Sequence, residues 1–302
     1  MKKILATTLL IFPLAYGIEN INYDAMVFGG YLNYSNSEAK DYGYYMGLFG
    51  YMGINNQHTL EGSVSYTNIK YLDGGTLNQF DYTGLYRNYS LPNTQIKAGL
   101  HYISSDDKAT DGGIIFLVGG ELYEQYKRNI GVDFSYSYYG NYEINKTYTY
   151  MRGKFSSTTV TKTISGLSVF QVSPKLGFYI GDYYNYGSFY LETRGYYIGL
   201  SDDVGFGKNF LSIEQNISYY YKEFTLSLSG WIGEQTFAVK NDGFVVYNLS
   251  EKYKSGYAFS IGYNMNKKTR ISAGISQDRF KEINSTKTSE LTSLFFTLGA
   301  TF

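Results

Sequence analysis

Cysteine is absent from the 302-residue chain. That excludes a disulfide framework, a thiolate nucleophile or metal site, and a lipid-bearing cysteine behind the N-terminal segment. Proline is scarce at 3 residues, tryptophan occurs once and histidine twice. No charge of one sign dominates: 26 basic residues balance 26 acidic ones, leaving no field to draw nucleic acid or an acidic polymer. Helical periodicity is missing after residue 20. One uncharged stretch, Tyr42 to Leu60, contains the small-xxx-small spacing Gly43-Tyr44-Tyr45-Met46-Gly47. Its glycines each cost about 1 kcal/mol in a helix, and Asn55-Asn56-Gln57 interrupts it, so it reads as two strands around a turn.

What the chain does have is strand-forming aromatic residues and glycine, with 36 Tyr, 20 Phe and 34 Gly. The final stretch sets the pattern. Leu294, Phe296, Leu298, Ala300 and Phe302 fall on one face of a strand, while Ser293, Thr297, Gly299 and Thr301 fall on the other. No helix exists to cover the apolar face, so lipid must. With Gly299 near its end and a terminal Phe302, this strand resembles the last strand of bacterial outer-membrane β-barrel proteins, the porin-like superfamily. The resemblance implies that the barrel-assembly machinery recognises it, with Gly299 and Phe302 as the assembly signal.

At the other end, Lys2 and Lys3 precede the apolar run Ile4 to Leu14 and the small-residue site Ala15-Tyr16-Gly17. Residues 1–17 read as a secretory signal peptide, too short to span a bilayer. Residues 18–302 then form one domain.

Between these ends, segments of alternating apolar and polar residues recur. Leu60, Gly62, Val64 and Tyr66 alternate with Glu61, Ser63, Ser65 and Thr67; Ile130, Val132, Phe134, Tyr136 and Tyr138 alternate with Gly131, Asp133, Ser135 and Ser137. Fourteen such segments are counted. The turns after even-numbered segments are mostly shorter than those after odd ones, as periplasmic turns and extracellular loops require. The expected fold is all-β: a closed antiparallel transmembrane β-barrel of about fourteen strands. Pro174 removes a ladder donor from the eighth segment and suggests a bulge there. Two connections are long. Gly140 to Gly166 looks like a hairpin continuing its strands beyond the bilayer, and Val239 to Ser255 carries a hairpin tip, Asn241-Asp242-Gly243. Tyr51, Tyr89, Tyr126, Tyr179, Tyr221 and Tyr263, near strand ends, are expected at the membrane interfaces.

The polar faces collect Glu61, Asp81, Arg87, Lys97, His101, Glu121, Asp133, Lys175, Glu192, Arg194, Glu214 and Trp231. Turning any of these charges to lipid by a one-residue slip is costly, about 2 to 4 kcal/mol for a midplane base. They are therefore expected to line the lumen and to set which solutes pass. Mixed sign argues against strong ion selectivity. Gly99, Ser135, Ser137, Ser212, Ser218 and Ser227 are small enough to leave the lumen open, and the Gly140 to Gly166 loop is the one placed to constrict it. His101 has Ser104 and Ser105 nearby, but strand alternation turns Ser104 away and no Gly-x-Ser-x-Gly motif occurs, so no enzyme is expected. The expected function is a monomeric outer-membrane channel for passive diffusion of small polar solutes. It needs no cofactor or metal, and its surroundings are outer-membrane lipids and lipopolysaccharide. The rival is a surface-exposed structural or adhesive barrel with an occluded lumen, binding through its two long loops.

Overall fold

The computed structural model describes residues 20–151, 157–283 and 285–302, with the side chains of 144–164 outside the description. The expected signal peptide, residues 1–17, also lies outside the described residues. In chain order the strands are β1 (Ile21–Ser35), β2 (Lys40–Ile54), β3 (His58–Tyr71), β4 (Thr76–Asn88), β5 (Thr94–Ser105), β6 (Ile114–Glu124), β7 (Arg128–Met151) and β8 (Ser157–Asp182). They continue with β9 (Gly187–Leu200), β10 (Asn209–Tyr221), β11 (Phe224–Gln235), β12 (Val239–Lys240), β13 (Val245–Val246), β14 (Glu251–Asn264), β15 (Thr269–Glu282) and β16 (Ser289–Thr301).

All but β12 and β13 pair with their neighbours into one closed antiparallel barrel of fourteen strands. The ring closes where β1 meets β16, in register from Asp24 opposite Thr301 to Ser35 opposite Glu290. Closure follows from the solvent: a free strand edge in hydrocarbon would leave N–H and C=O groups unpaired. Turn chemistry agrees. Asn55 and Asn56 both take positive φ, at 51° and 56°, in the tight turn from β2 to β3, a conformation asparagine tolerates better than most residues.

Alternation sorts the faces as the sequence pattern requires. Leu48, Val118, Ile213, Leu228 and Leu294 stand exposed on the outside, whereas Leu85, Ile103, Ile115 and Ile198 are buried inside. At the outer edge Phe224 packs against Tyr263 at 4.9 Å, as interface anchors do, whereas Tyr179, in phase with Lys175 and opposite Tyr190, lies on the lumen side. Tyr51 departs from that expectation: it sits opposite Glu61 on the lumen face. So does Tyr89, whose hydroxyl accepts a hydrogen bond from the Gln95 amide inside the barrel.

Pro174 produces no bulge. The β8–β9 register is the same before it (Val172 opposite Tyr197) and after it (Lys175 opposite Arg194), with the ladder interrupted between. Register shifts occur instead towards the longer-loop end, among them Tyr139/Glu143 and Ile232/Gln235. The backbones of β7 and β8 remain paired out to Met151 opposite Ser157, so the Gly140 to Gly166 connection prolongs its strands.

Leu228 faces lipid and its neighbour Ser229 lines the lumen. Leu228→Arg is expected to destabilise the barrel by about 2 to 4 kcal/mol in urea titrations of the protein folded into lipid vesicles. Ser229→Arg should cost much less.

Candidate functional site

After β11 the chain turns inward. Residues 236–250 enter the barrel, and β12 and β13 pair there, Val239 opposite Val246 and Lys240 opposite Val245. The tip Asn241-Asp242-Gly243 takes positive φ at all three residues, 48°, 56° and 90°, which Asn, Asp and Gly accept most readily. Here the expectation that the Gly140 to Gly166 loop would constrict the lumen is corrected. The Val239 to Ser255 segment does so, and its last residues already belong to β14. The reason is composition. Phe237-Ala238-Val239 and Phe244-Val245-Val246 flank the tip, and a hairpin so apolar is stabilised by burial. Phe237 and Ala238 are fully buried, with Phe237 against the rings of Tyr139 (5.1 Å) and Tyr142 (5.7 Å). Each large side chain so covered contributes about 1.5 to 3 kcal/mol.

The hairpin is held by charge as well as by packing. Asp242 accepts from Arg87 (2.9 Å) and Lys97 (2.5 Å). Lys97 also meets Asp133 at 2.8 Å, Arg87 meets Glu61 at 2.7 Å, and Arg194 bridges Asp133 (3.3 Å) and Glu192 (3.1 Å). Lys175 pairs with Glu121 in the same belt. On the other side of the tip, Lys240 pairs with Glu214 at 2.6 Å. Its ammonium lies 5.1 Å from the Trp231 ring, 5.6 Å from Tyr196 and 5.8 Å from Tyr247, an aromatic surround that favours a cation. Gln171 completes the attachment: its Oε1 accepts the Val239 N–H (2.9 Å) and its amide donates to the Val239 carbonyl (2.6 Å). Burial alone would raise the Asp242 carboxyl. Lys97 and Arg87, with Arg194 behind them, outweigh it and hold that carboxyl well below the usual carboxylate range.

Glycine makes several of these contacts possible. Lys97 and Asp133 stand on alternate strands with Gly119 between them, in register with both, and a Cβ there would lie 2.3 Å from the Asp133 carboxylate. Gly131 lies in the same way under Lys175 and Glu121, and Gly256 under Trp231 and Asp278. A side chain missing from one strand lets its two neighbours join over it.

All twelve residues expected in the lumen lie inside the barrel; nine of them form ion pairs with one another or with the hairpin, and Asp81 and His101 contact each other at 3.3 Å. The twelfth, Trp231, donates its indole N–H to Asp278 at 3.0 Å. Small residues expected to keep the lumen open do the opposite. Ser135 and Ser137 are buried, Ser135 beside Val239 and Gly243, so their smallness makes room for the hairpin and not for water. Lys240, Asp242 and Asp278 were not among the expected lumen residues. The apolar flanks of the Asn-Asp-Gly tip signalled the first two, and period two carried through Ser272, Gly274 and Ser276 points to Asp278.

His101 meets the Thr83 hydroxyl through Nδ1 (2.8 Å) and Asp81 through Nε2 (3.3 Å), a hydroxyl–imidazole–carboxylate chain. Thr83 is sealed, with 7% of its surface exposed and its hydroxyl 3.4 Å from the Gly243 carbonyl, so the hairpin tip keeps substrate from that oxygen. Among the loop carboxylates, Asp106 accepts from the Asn78 backbone and side chain and Asp111 from the Ser105 N–H, which makes them turn-stabilising groups.

Most of the hairpin's contacts fall on the inner faces of β4 to β10, with Phe244 reaching Phe49 on β2, and part of the lumen is left free. There a cavity of about 770 Å³ runs along β14–β16 and β1–β4. Its wall mixes apolar and aromatic residues such as Phe28, Tyr45 and Phe295 with hydroxyls such as Ser63, Ser65 and Thr67.

A closed fourteen-strand antiparallel barrel with an apolar outer surface and an ion-paired lumen is the fold of a transmembrane β-barrel. Comparison with solved structures agrees. The CymD monoaromatic hydrocarbon channel superposes with a TM-score of 0.56 at 6% identity over 94% of this chain and 89% of that one. The Pseudomonas putida toluene transporter TodX gives 0.53 at 7% identity over 94% and 89%. No protein-family model and no curated protein sequence matches the chain. At such identities the likeness is one of fold.

Because the Asp242 carboxyl is depressed, its anchorage is complete above the ordinary carboxylate range, about 3.9, and is lost only as pH falls through the lower folded value. Resistance of the 236–250 segment to added protease is therefore expected to stay constant between pH 8 and pH 5. The double variant Lys240→Met/Asp242→Asn, which removes both charged anchors and leaves Glu214 uncompensated by roughly 3 kcal/mol or more, should make the 236–250 segment accessible to added protease.

Proposed function

We propose that the chain is an outer-membrane channel through which small polar solutes diffuse passively along the half of the lumen that the hairpin leaves free. The observation that carries this reading is the 770 Å³ cavity, bounded by barrel wall on one side and hairpin on the other. A barrel serving only as a scaffold has no need of a lumen divided into a packed half and an open half. The solved channels of like fold are named for hydrocarbon cargo. Here the wall offers rings beside hydroxyls, which suits solutes carrying an apolar body as well as a polar group. The barrel acts as a monomer without enzymatic chemistry or cofactor, its outer face in lipid and lipopolysaccharide and β16 presented to the barrel-assembly machinery.

One observation favours the rival reading of a surface-exposed adhesive barrel: β7 and β8 reach far past their neighbours, to Met151 and Ser157. Planar-bilayer recording separates the two. Discrete single-channel steps are expected from the native protein, with larger steps when residues 237–247 are replaced by a short Gly-Ser linker. Silence from both proteins, each shown to be folded, would overturn the channel reading in favour of the surface one.

A further inference from the structure

The charges of the lumen are segregated, and this bears on what passes. The basic residues of the belt, Arg87, Lys97, Lys175 and Arg194, are each neutralised by a carboxylate and stand outside the cavity wall. The wall itself carries three carboxylates, Asp81, Glu214 and Asp278, against one ammonium, Lys240. Glu214 is matched by Lys240. Asp81 receives the Gln79 amide at 2.9 Å and faces His101. Asp278 receives only a neutral indole N–H, from Trp231, and among the described residues no basic group lies within ion-pair distance of it.

From this juxtaposition we infer that Asp278 is the specificity-determining residue of the open half-lumen, which therefore prefers cations and binds small organic ammonium compounds. The inference deepens the channel reading and takes its path from it. Asp278 is pre-set for the task. Gly256 clears the space over which the carboxylate and Trp231 meet, so the side chain is fixed before a ligand arrives and little ordering cost remains. A carboxylate in a low-dielectric cleft concentrates cations, and the ring of Phe295 in the same wall offers a face to the apolar part of such a ligand. A tightly held metal ion fits less well: among the described residues no group of three or more acidic, histidine or cysteine side chains is arranged to hold one.

The chain's single tryptophan is Trp231, so its fluorescence reports on this site alone. Benzylammonium, excited clear of its own absorbance, is expected to change Trp231 emission saturably, and the isosteric anion benzoate is not. Asp278→Asn, which retains an oxygen to accept the indole bond, should abolish the benzylammonium response; Glu223→Gln at an exposed turn should leave it intact. In bilayers under a potassium chloride gradient the native reversal potential should show potassium favoured over chloride, and Asp278→Asn should shift it toward no preference while steps persist. An equal response to benzoate, or an unchanged response and reversal potential in Asp278→Asn, would overturn the inference and leave the channel standing. Fluorescence binding without conductance would overturn the channel and leave the site.

Discussion

Hydrocarbon supplies no hydrogen-bond partner, and this single constraint fixes most of the molecule. Every backbone donor and acceptor at membrane depth must be matched within the protein, so the strands have to close on themselves, β1 against β16, before any side chain is considered. Closure then creates an inside and an outside, and period two assigns alternate residues to each. Lipid takes the apolar set. The polar set faces a space too wide for wall side chains alone to fill across fourteen strands, though narrower than a large porin channel. How that space is filled is where this barrel becomes particular.

It is filled by half. The inward hairpin uses two interactions that differ in kind. Phe237 and Ala238 bury apolar surface, which attracts without direction, while Asp242 and Lys240 fix position through charged contacts to opposite groups of wall residues. Charged pairs in a partly dry lumen are weak evidence of net stability, because desolvation offsets much of the attraction. Their effect is on register. A hairpin displaced by one residue would present Asn241 or Gly243 to Arg87 and Lys97 and leave each with one carboxylate in place of two. The ionic network thereby selects one seating among the many that apolar packing alone would permit.

The barrel, its strand number and the inward placement of twelve polar residues were legible because alternation is a local property, read within a single strand. Contacts between distant segments were not. Nothing local says that Asp242 will meet Arg87, or that Gly119 is a glycine because Lys97 and Asp133 join above it; those facts depend on three strands lying in register. The small lumen residues were misleading for a related reason. Ser135 and Ser137 are as consistent with a water-filled pore as with a groove for another part of the chain, and only the apolar flanks of Asn241-Asp242-Gly243 distinguished the two. Tyr51 was misassigned because proximity to a strand end was weighed above parity, and parity placed it beside Glu61 inside the barrel.

Filling half the lumen also decides the electrical character of the other half. The belt under the hairpin contains Arg87, Lys97, Lys175 and Arg194 against Glu61, Glu121, Asp133 and Glu192, equal numbers of each sign already paired at short range. Such an arrangement has little field beyond a few ångströms, and none of its members lines the cavity. The hairpin brings in one acid and one base, so it adds no net charge; it changes which wall groups a solute meets. With the balanced belt covered, the acidic wall around Asp278 becomes the field that a solute meets in the cavity. In the proposed channel, conductance and selectivity are thus set by the same fifteen-residue segment, 236–250. A displacement of that segment that widened the path would in the same motion expose the neutral belt and dilute the preference for cations.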